Sequence, residues 1–156
     1  MDLYTLVKVA HVIGATVLLG TGAGIAFFML MAHRTRQPAL IAHTARVVVV
    51  ADAVFTATAV IAQPITGALL AHLVGYPLLS GWIGLSLVLY VVTGLCWLPV
   101  VWIQLRLRDL AQAAADAGQP LPPRYFKLFR AWFGLGFPAF AAVATIVWLM
   151  VARPGF

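Results

Sequence analysis

Apolar residues run along this chain in four long blocks, interrupted only by isolated polar positions and separated by short stretches rich in proline, glycine or charge. A block of about 20 apolar residues, rising about 1.5 Å each, crosses the roughly 30 Å hydrocarbon core of a bilayer as a helix. The pattern predicts helices over about 3–32, 41–74, 82–117 and 125–151. The connections HRTRQPA, GYPLLSG and GQPLPPR carry the helix breakers. Pro64 and Pro99 fall inside the second and third blocks. The third helix continues into RLRDLAQAAADAG, whose alanines favour helix and whose Gly118 suits its end. The expected fold is all-α: one transmembrane domain over residues 1–156, an integral membrane four-helix bundle running up-down-up-down.

Composition agrees, with 63% hydrophobic residues, 9% charged and a mean hydropathy of +1.02, against roughly 45–50% apolar and about 25% charged in soluble domains. The first apolar run is about twice the core of a signal peptide and is read as a spanning helix. The single cysteine, Cys96, lies in an apolar stretch, which excludes a disulfide framework or a cysteine zinc site within one chain.

Charge sets orientation. Arg34, Arg36 and Arg46 flank the first connection, and Arg106, Arg108, Arg124, Lys127 and Arg130 flank the third; only Lys8 and Arg153 lie at the other end. Cytoplasmic loops hold the excess of Lys and Arg, so both termini are expected outside, in a bacterial cytoplasmic (inner) membrane. The net charge of +6 is then a topology signal with some attraction to anionic lipid. No nucleic acid is expected as a partner, because a soluble basic surface is missing.

Polar side chains within the spans are the candidate chemistry. Lys8 and His11 share a helix face, and ionisable residues within spans face the bundle interior or a cavity and often mark a site. In this topology His11 and His72 both approach the outer leaflet, while His33 and His43 bracket the inner connection. Two imidazoles projecting from different helices at similar depth can hold one iron from opposite faces, which makes His11 with His72 an admissible haem pair. Lys8 is read as snorkelling outward. Asp52 is costly in mid-span, by about 2.5–3.5 kcal/mol on insertion scales, and needs a partner or a proton; Gln104, the backbone freed by Pro99 and Arg46 are the candidates. Gln63, beside Pro64, is expected to satisfy a carbonyl opened by the kink or to join the site around His11. Gly20 with Gly24, and Gly134, Gly136 and Ala139, are read as close helix-packing faces. Trp82, Trp102, Tyr125, Trp132 and Trp148 are read as interfacial anchors.

The stretches LVKVAHVIGATVLLGTGAGIAFFMLMAHR, LPVVWIQLRLRDLA and LPPRYFKLFRAWFGLGFPAF resemble a family of small bacterial integral membrane proteins known as domain of unknown function 2269, over nearly all of the chain. Helix one, with Lys8 and His11, is more distantly similar to the first helix of the HemJ-type protoporphyrinogen oxidases and of the CopD-like membrane proteins. That likeness implies a four-helix membrane bundle in which the helix-one histidine ligates haem b. The chain departs from the HemJ pattern where Gly84 and Ser86 stand at the positions of a histidine and a lysine. It also has no glutamate anywhere, where that pattern has an Asn-Glu pair after an arginine.

Three functions are consistent with these residues. The first is a haem b-binding electron-transfer protein or oxidoreductase subunit, with His11 and His72 as iron ligands and a redox partner or larger membrane complex. The second is a carrier of metal ions or protons through His11, Asp52 and Gln63. The third is a non-catalytic accessory or assembly subunit. A second copy of the chain, as a homodimer or homo-oligomer, is an admissible partner in each. The motifs of serine hydrolases and zinc proteases are absent.

Overall fold

A computed structural model describes residues 2–79 and 81–155. Four helices follow one another: α1 (Leu3–Thr35), α2 (Pro38–Val74), α3 (Gly81–Asp116) and α4 (Pro123–Ala152), with no strand among the described residues. All four are long and apolar enough to cross a membrane. Their bounds match those legible in the hydropathy pattern to within about a turn.

Local chemistry places the ends. Asp2 caps α1 by accepting a hydrogen bond from the Thr5 backbone N–H at 2.8 Å, and the Thr5 side chain together with that N–H holds its carboxyl below the usual carboxylate value. Pro38 and Pro123 open α2 and α4, positions where a missing N–H is harmless. Gly75 at φ +78° ends α2, with the Tyr76 N–H reaching the Ala71 carbonyl at 2.9 Å. Gly118 at φ +62° follows α3 in the same way, with Gln119 on Ala114 at 2.9 Å.

One turn of α2, Asp52–Thr56, is π-helical. Such a turn inserts an extra residue into an α-helix and commonly marks a functional position.

Packing is uneven along the bundle. The continuous core lies at the end carrying the basic connections and draws on Met29, Ile41, Ala45, Leu107, Tyr125 and Trp132 among others. His33 locks α1 to α4 there: its ring stacks on Phe129 with centroids 3.7 Å apart, and its Nδ1 lies 3.3 Å from the Tyr125 hydroxyl. Towards the termini, α3 stays on α4 while the last half of α2 packs chiefly on α1. The two helix pairs separate there and leave a cavity. The outer surface exposes Val50, Ile61, Leu95, Leu98 and Val151, apolar side chains that lipid solvates at no cost.

Several expectations change. A Cβ built on Gly20, Gly22, Gly134 or Gly136 would meet nothing within 4 Å, and one on Gly24 would only touch Phe28 at 4.0 Å. These glycines are therefore not close-packing faces within the chain. Trp132 and Tyr125 are buried at 4% and 0% exposure, so they belong to the core and not to an interfacial belt.

Candidate functional site

Close approach of α1 and α2 near the termini is built on two other glycines. Gly14 lies against the Gln63 side-chain amide, which occupies the space a Cβ would take, and a Cβ on Gly67 would come to 3.2 Å from Cε1 of His11. Gln63, buried, donates from Nε2 to the His11 carbonyl at 2.8 Å. Gln63 thus joins the surroundings of His11.

His11 itself is 8% exposed. Its Nδ1 lies 2.8 Å from Oγ1 of Thr66. That hydroxyl has one proton and lies 2.8 Å from the Ala62 carbonyl and 3.2 Å from the Gln63 carbonyl. With that proton on a carbonyl, the hydroxyl accepts from Nδ1–H and Nε2 keeps its lone pair. Nε2 has no hydrogen-bond partner among the described residues and is not sealed off, and His11 lines the cavity. A ring fixed through one nitrogen and bare at the other is the arrangement that metal-ligating histidines adopt.

The cavity has a volume of about 910 Å³. On α1 its lining runs from Tyr4 to Ala26 and on α4 from Trp132 to Arg153, distances of about 33 and 32 Å at 1.5 Å per residue. Glycines make the room: Gly22, Gly94 and Gly136 all line it. The walls are apolar with a few polar groups at successive depths. Lys8 and Arg153 stand at the terminal rim, His11 and Gln63 below them, then Tyr90 and Thr56, and Asp52 with Gln104 at the floor.

Asp52, 6% exposed, accepts a hydrogen bond from the Trp97 indole at 3.3 Å. Gln104 accepts instead from the Trp132 indole at 3.1 Å. The expected Asp52 partners (Gln104, the Pro99 kink, Arg46) are thus replaced by a tryptophan, and Asp52, the first residue of the π turn, lines the cavity. Thr56, one turn on, is buried and lines the same cavity.

The carbonyl freed by Pro64 is that of Val60, four residues earlier. It accepts from the Tyr90 hydroxyl of α3. That bond crosses the seam where the helix pairs part.

His72 is exposed and does not line this cavity. It borders an adjoining surface hollow with Pro77, and Tyr76 and Leu87 line both. The structure therefore does not bring the two predicted iron ligands to a common cavity. Position 72 lies five residues, about 140° around the helix, from Gly67, which faces His11. Across the cavity Ser86 stands on α3, its hydroxyl donating to the Trp82 carbonyl at 2.8 Å. No group of three or more His, Cys, Asp or Glu side chains gathers among the described residues. Lys8 is exposed, with its ammonium 5.5 Å from the Tyr4 ring centroid.

Among known proteins, a family model described as predicted integral membrane protein (DUF2269) matches residues 5–154. No curated protein and no solved structure matches.

Proposed function

The chain belongs to the DUF2269 family of predicted integral membrane proteins, and on that premise we propose that it binds a largely apolar ligand in the cavity between its helix pairs, through the imidazole of His11. Haem b, which the likeness of helix one implies, is the candidate ligand. The observation that carries this reading is the placement of His11: Nδ1 is engaged by the Thr66 hydroxyl, Nε2 has no hydrogen-bond partner among the described residues, and the residue lines the cavity. The volume of about 910 Å³ falls in the range of small-molecule and cofactor sites, about 300–1,000 Å³. The residues fit haem through one axial histidine, since neither His72 nor Ser86 offers a second. Bound there, haem would supply a one-electron iron centre. The chain would contribute the oriented imidazole, apolar walls that exclude water, and Gln63 bracing the His11 backbone.

The test is the visible spectrum of the protein purified in mild detergent from haem-replete cells, oxidised and then dithionite-reduced. A Soret band with b-type reduced peaks, lost in His11→Ala, supports haem. A colourless wild type overturns the haem reading.

Asp52 favours a second reading, a proton or cation carrier, because its carboxyl lies in the same cavity as His11. Acidification of vesicles containing the protein, abolished by Asp52→Asn, would favour that reading over the first.

A further inference from the structure

We propose that the ligand of the cavity is an amphipathic anion, its carboxylate or phosphate held at the terminal rim by Lys8 and Arg153 and its apolar body lying along the helices. This rests on the cavity being a ligand site, and not on the ligand being haem.

The distribution of charge is the first observation. Of the ten Lys and Arg residues, two lie at the terminal end, and both of them line the cavity. Lys8 is one turn from His11 and shares its face of α1. Arg153 caps α4 at φ +44° and stays exposed. Neither cation is spent on a carboxylate, since the one ion pair among the described residues joins Arg108 to Asp109.

The second observation is polarity along the cavity. Cations stand at the rim, a carboxyl at the floor, and the α1 wall from Lys8 to Ala26, about 27 Å by helix rise, is chiefly apolar. An anionic group is favoured at the rim, where it meets two cations and keeps its water. The same group at the floor would lose its water between apolar walls and meet no cation among the described residues. A cationic ligand meets repulsion at this rim, and a neutral one gains nothing from either residue. Two sources carry this chemistry: a lipid acid, or a prosthetic group bearing carboxylates.

Trp82, Trp97 and Trp132 line the cavity and serve as reporters, once the lipid-exposed Trp102 and Trp148 are replaced by Phe. Quenching would be compared for dibromostearate and its methyl ester, and for haem and its dimethyl ester. At least one acid should quench at a concentration about tenfold or more below its ester, the scale of a charge-assisted contact. Preference in the stearate pair identifies a lipid acid; preference in the haem pair identifies the prosthetic source. Lys8→Gln with Arg153→Gln should erase the preference, and Lys8→Arg with Arg153→Lys should keep it. Gly94→Leu, which takes up part of the cavity at a position where an added Cβ would meet no other helix within 4 Å, should weaken quenching by acid and ester alike. Equal potency of acid and ester in both pairs overturns the anionic ligand while leaving the cavity reading intact. Undiminished quenching in Gly94→Leu overturns the cavity reading itself.

Discussion

Gly14 and Gln63 form the tightest pairing in the site, because the amide fills the place of a side chain at position 14. Gly14→Ala should destabilise the protein by about 1–3 kcal/mol, the usual range for overpacking. The clash is with one side chain, so Gln63→Ala in the same chain should recover most of that loss. Thermal unfolding of the two single variants and the double, compared as a cycle, measures the coupling. Additive losses would mean that the two residues do not meet. At the chain's start, Asp2 makes a different prediction. Its carboxyl is held below the ordinary value of 3.8 by the Thr5 side chain and the Thr5 N–H. A depressed folded-state value means that the cap stabilises the first turn above pH 3.8 and fades as pH falls through the lowered value. The Thr5 amide resonance should therefore titrate with a midpoint under 3.8, and Asp2→Ala should remove that titration.

Helix α2 carries two irregularities, and each is compensated in a way that ties it to a neighbour. Pro64 cannot donate to Val60, so Tyr90 does. In Tyr90→Phe that carbonyl loses its partner, at an expected cost of about 1–3 kcal/mol. Adding Pro64→Ala restores an N–H four residues on and should return much of the lost stability. A loss that persists in the double variant would show that Tyr90 acts through packing. The helix spans were legible in the sequence because length and apolarity alone define a crossing. Helix rotation was not, because every span is apolar around its whole circumference. Gly20 and Gly24 have the spacing of a packing face and yet meet no other helix, whereas Gly14 and Gly67 pack closely with no motif to announce them. His11 was legible as a polar residue in an apolar run, and Gln63 as its neighbour. The Trp97 partner of Asp52 and the Tyr90 bond depend on the π turn and on interhelical register, which periodicity does not encode.

At the scale of the molecule, a close-packed half at the basic end holds together two helix pairs that part towards the termini. A dry void of about 910 Å³ would forgo some ~22 kcal/mol at ~24 cal/mol per Å³, more than the ~5–15 kcal/mol that holds a typical domain folded. Lipid, water or ligand must therefore complete the terminal half. Stability should accordingly depend on what is supplied. An occupant at 100 times its dissociation constant adds about 2.7 kcal/mol, which for a chain of this size is roughly 5–11 °C in melting temperature. Wild-type protein stripped in a delipidating detergent should melt lower and recover on titration with the ligand, haem or dibromostearate, that the quenching experiment selects. Gly94→Leu should melt at a temperature nearly independent of that addition, since its side chain occupies part of the same volume. If both proteins respond equally, stabilisation comes from lipid around the bundle and the cavity is not its source.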